Sequence, residues 1–159
     1  MRIVTHHEHL MANWRMVMFG IGKLFLSLEE QLSRASGMSP NELLIYVTVN
    51  VANVQKLMRE RNIPREFFAA DTLPREWVVP ISRNAIASAT GLPRETVRRQ
   101  VARMIERGLL MEDERGGVTP PVGVLQSLAV APMLESLMTE FARTTEALMR
   151  AGVLEAKAN

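Results

Sequence analysis

The sequence of 159 residues contains no cysteine, and its net charge is close to zero. Without cysteine the chain cannot form disulfides, catalyse through a thiolate, or bind zinc or an iron–sulfur cluster through sulfur ligands. A protein that needs no oxidising compartment is expected in the cytoplasm. The 19 Lys and Arg residues stand against 17 Asp and Glu residues, a net charge of +2. A nucleic-acid partner therefore has to be argued from a local basic surface and not from the overall charge.

Long hydrophobic runs are also missing. The first residues lack the apolar core and the small-residue cleavage site of a secretory signal, so no export is expected. The most apolar stretch, residues 16–28, is interrupted by Lys23 and falls short of the ~20 residues that cross a bilayer. We therefore predict a buried amphipathic helix in this stretch and no membrane partner.

Catalytic and cofactor motifs are incomplete. The Gly-Ile-Gly sequence at residues 20–22 is not followed by the third glycine of a dinucleotide fingerprint, and no Gly-x-Ser-x-Gly elbow is present. His6, His7 and His9 could contribute to a metal site, but we favour a solvated N-terminal turn because nothing nearby in the sequence completes the coordination. We predict that the protein is not an enzyme and has no catalytic residues, cofactor or metal site.

Apolar residues recur at steps of three and four near both ends of the chain, over residues 6–34 and 124–151. This spacing predicts two long amphipathic helices, the second ending at Gly152, and their apolar faces require a partner. In the first helix, Gly20 and Gly22 each lower the helix propensity by about 1 kcal/mol, which indicates a close helix contact or a kink. The methionines of these helices could line a pocket for a small apolar effector, with ordinary core filling as the alternative.

Residues 39–42, Ser-Pro-Asn-Glu, form the pattern of a capping box with proline at the first helical position. This pattern predicts a helix that continues over residues 43–60. The same residues alternate at period two, so a strand is the alternative. Prolines break the periodicity over residues 62–80, which indicates a connector, and residues 77–81 could form a short edge strand.

Residues 81–119 follow the pattern of a winged helix-turn-helix. Ser82 can cap a short helix, Gly91 allows a sharp turn, and a second helix is expected over residues 93–107. Residues 109–119 place apolar positions on both sides of a Gly-Gly pair, which predicts two short strands joined by a tight turn. These two strands would form the wing.

The positive charge of the chain is concentrated in this segment. Residues 75–107 contain seven arginines and three glutamates, a net charge of +4, whereas the other residues, 12 basic and 14 acidic, carry −2. Arginine suits guanine O6 and N7, and glutamate can accept a hydrogen bond from cytosine N4. We predict that four residues in the first two turns of the second helix read bases in the major groove. They are Arg94, Glu95, Arg98 and Arg99.

The sequence RETVRR at residues 94–99 resembles the recognition helix of the catabolite activator (Crp/Fnr) family, which typically opens Ser-Arg-Glu-Thr-Val-x-Arg. The resemblance extends over residues 78–119, about a quarter of the chain. It implies a base-reading role for Arg94, Glu95 and Arg99, whereas Arg98 occupies the variable position of the family pattern.

The same resemblance implies phosphate contacts by Ser82, Arg83 and Thr96. We also expect phosphate contacts from Arg103, on the same helix, and from Arg115, the one cation of an otherwise acidic wing. Pro93 stands where the family has a helix-opening serine, so one hydroxyl and one backbone N–H are missing from the expected phosphate contacts.

The catabolite activator family also carries a β-barrel before its DNA-binding domain. Residues 1–77 offer too few residues and too little strand signal for such a barrel, so cyclic-nucleotide binding is not expected. The helices on both sides of the winged helix instead resemble MarR-like regulators, in which terminal helices of two subunits pack together.

Together these patterns predict a mainly α protein, a winged helix-turn-helix with long N- and C-terminal helices that form a dimerisation region. The predicted regions are supporting helices over residues 1–62, a DNA-binding region over 63–119 and a dimerisation helix over 120–159. The expected function is that of a homodimeric transcriptional regulator that binds double-stranded DNA at a palindromic operator. The alternatives are a non-catalytic helical adaptor that binds proteins through the winged helix, and a DNA binder associated with replication or partition.

Overall fold

A computed structural model describes residues 1–60, 67, 73–123 and 130–158 of the chain. The described residues are mainly helical, with six α-helices and two small antiparallel sheets. In chain order the elements are β1 (Arg2–Thr5), α1 (His7–Ala12), α2 (Trp14–Ser36), α3 (Pro40–Arg59), a 3₁₀ helix (Arg75–Trp77), β2 (Ile81–Ser82), α4 (Arg83–Thr90), α5 (Arg94–Glu106), β3 (Met111–Glu112), β4 (Gly117–Thr119), α6 (Val130–Arg150) and β5 (Leu154–Lys157). The chain divides into two compact units, which consist of Met1–Gln31 with Val130–Asn159, and of Leu32–Ala129.

The first unit joins the two ends of the chain in a β-ribbon that the sequence patterns did not predict. Strand β1 pairs with β5 in antiparallel register, from Arg2 opposite Lys157 to Thr5 opposite Leu154. The N–H of His6 continues the ladder by donating to the carbonyl oxygen of Val153 at 3.0 Å. Because the two strands lie at opposite ends of the sequence, no local signal joins them.

The single helix predicted over residues 6–34 is wrong in one respect, because Asn13 divides it into α1 and α2. The side-chain amide of Asn13 donates to the carbonyl oxygen of His9 at 2.9 Å, and its backbone leaves the helical region at φ −115° and ψ 22°. Asparagine commonly breaks a helix in this way, since its side chain competes for backbone hydrogen bonds. The second helix then continues to Ser36, two residues beyond the predicted end.

Helices α2 and α6 pack closely at Gly20. A Cβ atom at this glycine would overlap the side chain of Thr144 on α6. Lys23 on α2 also forms an ion pair with Glu140 on α6, with Nζ and Oε2 2.9 Å apart. Of the two alternatives predicted for Gly20, the structure therefore shows the helix contact. For α6, the predicted start at residue 124 lies outside the described residues, and its end at Arg150, followed by Gly152 at φ 70°, agrees with the prediction.

Replacing Gly20 with alanine is expected to destabilise the protein by about 1–2 kcal/mol. Overpacking a close helix contact costs about 1–3 kcal/mol, and the gain of about 1 kcal/mol in helix propensity offsets part of that cost. Chemical denaturation measures the change in the free energy of unfolding. In the matched double variant Gly20→Ala/Thr144→Ser, removing the threonine methyl group should restore most of the lost stability. A single Gly20→Ala variant more stable than the wild type would show that the two helices do not meet at this position.

The second unit is built around α3, which the sequence left open between helix and strand. The structure shows the helix, and the predicted capping box is present: the Ser39 hydroxyl accepts a hydrogen bond from the N–H of Glu42, and the Glu42 carboxylate accepts one from the N–H of Ser39 at 2.8 Å. The sequence predicts that α3 belongs to supporting helices over residues 1–62; in the structure it packs against α4 and α5 within the second unit. The apolar face of α3 is buried together with the apolar faces of α4 and α5, and these three helices form the core of the unit.

The core of the second unit is apolar and continuous. Burying a side chain of this kind contributes about 1.5–3 kcal/mol relative to leaving it exposed. The buried apolar side chains are Leu32 and Met38 before α3, Leu43, Ile45, Tyr46, Val49 and Leu57 on α3, Ile86 and Ala87 on α4, Val97, Val101 and Met104 on α5, Leu109 and Leu110 before β3, and Val118 on β4. These contacts fix the position of α5, the helix that carries most of the predicted site.

The turn between α4 and α5 and the strands that follow agree with the local sequence signals. The Ser82 hydroxyl caps α4 by accepting from the N–H of Ala85, and Gly91 ends the helix in the left-handed region at φ 71°. Strand β4 pairs with β2 on one side and with β3 on the other, which places β2 at an edge of the three-stranded sheet. The strand predicted over residues 77–81 is shorter and later than expected, because Pro80 has no N–H to add to a ladder.

An ion pair ties the end of α5 to the beginning of α3. Nη1 of Arg107 lies 3.3 Å from Oε2 of Glu42, and Nη2 of the same residue donates to the carbonyl oxygen of Ser36 at 2.6 Å. Burial of Glu42 would raise its pKa, but the hydrogen bonds from Ser39 and the charges of Arg107 and Arg103 outweigh burial and hold the pKa below the usual value of 4.5. The buried carboxylate is therefore charged at neutral pH.

None of the helices in the described ranges is both long and apolar enough to cross a bilayer.

Candidate nucleic-acid interface

Helix α5 has one face in the core and one face in solvent. The side chains of Val97, Val101 and Met104 are fully buried against α3 and α4, at the spacing of four and three residues that defines one helical stripe. Charged residues occupy the opposite face. The packing of the apolar stripe therefore determines the direction in which the charged residues project.

The four predicted base-reading residues lie together on the exposed side of the first two turns of α5. Arg98 does not stand alone there, because its guanidinium forms a two-pronged contact with the carboxylate of Glu95, at 2.9 Å and 2.6 Å. This hydrogen bond lowers the pKa of Glu95 and raises the pKa of Arg98. Arg94 and Arg99 make no ion pair with any other described residue. The first turns of α5 thus present two guanidinium groups without an ion-pair partner among the described residues, beside the Arg98–Glu95 ion pair.

The residues predicted to contact phosphates differ from one another in exposure and in hydrogen-bond partners. Nη2 of Arg83 lies 2.7 Å from Oε2 of Glu112, so this arginine connects the start of α4 to strand β3. The hydroxyl of Ser82 is engaged as the cap of α4, and Thr96 is half-buried. Arg103 is exposed on α5, one turn beyond Arg99. Sequence reasoning could not find the partner of Arg83, because Glu112 is 29 residues away along the chain.

Two acidic residues at the turn between β3 and β4 form contacts within the protein. One carboxylate oxygen of Asp113 accepts hydrogen bonds from the N–H groups of Arg115 and Gly117, at 2.9 Å and 2.8 Å. A Cβ atom at Gly117 would overlap Pro80 and the Asp113 carboxylate, so glycine is required at this position. Because Glu112 is paired with Arg83, two of the three acidic residues of the predicted wing are already engaged, and Arg115 is exposed beside them.

The three histidines lie where the β-ribbon of the first unit leads into α1: His6 directly follows β1, and His7 and His9 are on α1. Nε2 of His6 lies 2.7 Å from Oε2 of Glu155 on β5, and this hydrogen bond lowers the pKa of Glu155. The rings of His6 and His9 meet edge to face with their centroids 6.0 Å apart. In the part of the chain that the structure describes, no group of three or more His, Cys, Asp or Glu side chains is placed to hold a metal ion.

An apolar groove lies between the two long helices of the first unit. Its volume is about 300 Å³, and it includes one of the methionines that the sequence associated with an effector pocket. The lining residues are Leu24, Phe25 and Leu28 on α2 and Leu137, Met138 and Phe141 on α6. The groove offers no charged or hydrogen-bonding group to orient a ligand, and a small apolar effector stays a prediction.

No protein-family model, curated protein or solved structure matches this chain. Its function therefore has to be argued from the described residues and their geometry.

Proposed function

We propose that this protein is a cytoplasmic, homodimeric transcriptional regulator that binds double-stranded DNA. Its winged helix-turn-helix places α5 in the major groove of the DNA. One observation carries the proposal: three of the four exposed arginines of α5 lie in its first two turns, and the opposite face of the helix is anchored in the core by Val97, Val101 and Met104. Recognition helices contact base edges with their N-terminal residues, and an α-helix fits the width of the major groove.

The order of the elements supports a winged helix. Helix α3 is followed by β2, α4, α5, β3 and β4, and the three strands form one antiparallel sheet beside the three helices. In this arrangement α4 and α5 are the helix-turn-helix, with Gly91 in the turn, and the β3–β4 hairpin is the wing. The hairpin is short and its tip is acidic, so α5 supplies the main DNA contact.

The ion pair between Arg98 and Glu95 suggests different roles among the four residues predicted to read bases. Arg94 and Arg99 are free to form two-pronged hydrogen bonds with guanine, each worth about 1–3 kcal/mol of discrimination. Arg98 contacts both oxygens of the Glu95 carboxylate, which orients Glu95 for a cytosine amino group and places the Arg98 guanidinium beside it at the base edges. A homodimer would present two such helices to half-sites about 34 Å apart, one turn of DNA.

Arg83→Ala is expected to weaken binding to all duplexes alike and to reduce the slope of log affinity against log salt by about 0.9, the value for one phosphate contact. Because Glu112 competes for the Arg83 guanidinium at 2.7 Å, the matched variant Glu112→Gln should tighten binding and steepen the slope. Fluorescence anisotropy at several salt concentrations measures both effects. An Arg83→Ala variant that changed the sequence preference would contradict a phosphate role.

Selection from a pool of random duplexes tests the proposed function directly. Enrichment of an inverted repeat with half-sites one helical turn apart is the expected result. The absence of any enriched sequence, together with unchanged affinity for unrelated duplexes, would favour the adaptor hypothesis, in which the same arginines meet an acidic protein surface.

A further inference from the structure

Helix α2 has an outer face, turned away from α6, whose large apolar side chains are exposed in the part of the chain that the structure describes. Gly20 marks the opposite side of the helix, since a Cβ atom there would overlap Thr144 on α6. Gly22 lies two residues further on, about 200° around the helix axis, and therefore points away from α6. Apart from its two neighbours in the chain and the backbone of its own helix, no atom of the described residues lies within 4 Å of the position that a Cβ of Gly22 would occupy. No contact with another element among the described residues explains the lack of a side chain at Gly22.

Four large apolar side chains surround this glycine. Residues three and four positions away on either side are its neighbours on the helix surface. These are Met18, Phe19, Phe25 and Leu26, whose side chains are between 59% and 70% exposed. The result is a shallow depression at Gly22 within an apolar rim, the shape that lets the backbones of two helices approach closely.

The exposed area of this face is as large as a specific interface requires. Trp14, about two turns before Gly22, extends the rim along the helix and is 48% exposed, and Ile21, next to Gly22 in the chain, widens the rim on one side and is 55% exposed. Six side chains of this size leave on the order of 700 Å² uncovered, close to the ~800 Å² that each partner contributes to a specific protein interface. Patches of this size on a monomer commonly mark an interaction site.

The charges on the same face favour a second copy of this chain over any other partner. Arg15 lies seven residues before Gly22 and Glu29 seven residues after it, so both are about 10 Å from the glycine and on its side of the helix. If two α2 helices cross in antiparallel orientation at Gly22, Arg15 of each copy faces Glu29 of the other. A two-fold interface has to be complementary to itself, and this arrangement of charges meets that condition.

We propose that two copies of this chain associate through the outer face of α2, with the helices antiparallel and crossing at Gly22. This assignment rests on the proposed homodimer, but it does not depend on DNA binding. It also leaves α5 outside the interface.

Gly22→Leu in the full-length protein tests the interface. Sedimentation velocity over a dilution series should show a dimer for the wild type and a dissociation constant at least about 30-fold higher for the variant, because a leucine enters the crossing point from each copy. The helical circular dichroism should not change, since the site is vacant within one chain. Thr139→Leu, which adds a side chain of the same size on the exposed polar side of α6, is the matched control and should remain dimeric.

A second variant, Gly22→Cys, tests the same interface by disulfide crosslinking. Because the chain contains no cysteine, Gly22→Cys introduces a single thiol. Two cysteines at the crossing point should oxidise to a disulfide-linked dimer, which requires Cα atoms within about 7 Å, whereas Thr139→Cys should stay uncrosslinked. Arg15→Glu should weaken the dimer about fivefold, and adding Glu29→Arg should restore it.

The outcomes separate this inference from the proposed function. A wild-type dimer that persists in Gly22→Leu and does not crosslink in Gly22→Cys overturns the interface and leaves the homodimer in place. A wild type that is monomeric at every concentration overturns both the homodimer and the interface, whereas duplex selection still decides DNA binding. A charge-reversed double variant that is no better than Arg15→Glu alone overturns the antiparallel register.

Discussion

The double variant Arg94→Ala/Arg99→Ala is expected to bind its selected duplex at least about 30-fold more weakly than the wild type. Each arginine contributes about 1–3 kcal/mol if it forms a two-pronged hydrogen bond with guanine, so the pair supplies at least ~2 kcal/mol. Both side chains are exposed and make no ion pair with a described residue, so their removal should leave the free energy of unfolding nearly unchanged. Fluorescence anisotropy with the selected duplex measures the loss.

Because removing two positive charges weakens DNA binding at any position, this prediction needs a charge-matched control. Arg143→Ala/Arg150→Ala removes the same charge from exposed positions on α6. It should reduce the affinity only slightly and equally for all duplexes, whereas the α5 variant should also lose discrimination at two base pairs of each half-site. Equal losses in the two variants, with the sequence preference intact in both, would show that α5 does not read bases.

Replacing Arg107 with methionine is expected to lower the free energy of unfolding by about 2–3 kcal/mol. The variant keeps most of the apolar stem but removes the group that contacts Oε2 of Glu42 and the carbonyl oxygen of Ser36. A hydrogen bond to a charged group is worth about 1.5–3 kcal/mol, and the Glu42 carboxylate stays buried after its partner is lost. Arg99→Met removes the same charge from an exposed position of α5 that does not act on Glu42, and it should cost less than about 0.5 kcal/mol.

The pH dependence of stability provides an independent readout of the same pair. The pKa of Glu42 is lowered in the folded protein, so its contribution is complete above the usual value of 4.5 and is lost as the pH falls through the lower, folded value. Without Arg107, the pKa of Glu42 should rise towards the unfolded value. The stabilities of the wild type and Arg107→Met should therefore converge as the pH falls below 4.5. A difference between the two proteins that is constant across this range would mean that Arg107 acts on stability without the Glu42 charge.

Much of the fold could be predicted because its signals are local. The capping box at residues 39–42, the cap at Ser82, the left-handed turn at Gly91 and the hairpin at Gly116 and Gly117 each involve residues within four positions of one another. The signal for the two faces of α5 is also local, since the spacing of the apolar residues defines the buried face and leaves the remaining positions to solvent. For this reason the exposed positions of Arg94, Glu95, Arg98 and Arg99 agree with the sequence analysis, although their role in DNA binding stays a prediction.

The ion-pair partners of the arginines could not all be predicted from local signals. The two-pronged contact of Arg98 with Glu95 is local, and the three-residue spacing on a helix could have indicated it. The partners of Arg83 and Arg107, in contrast, are 29 and 65 residues away along the chain. Counting both residues in a net charge of +4 therefore overstated the charge that the segment can offer to phosphates.

The amino-acid sequence alone determined where α4 and α5 begin and end, which face of α5 is apolar, and where positive charge accumulates, because short-range sterics and helical periodicity are sufficient for each. Only the tertiary structure decided that β1 pairs with β5, that α3 belongs with α4 and α5, and that Gly20 faces a neighbouring helix while Gly22 faces solvent. These outcomes depend on which distant surfaces exclude water together, and contacts of that kind leave no fixed spacing in the sequence.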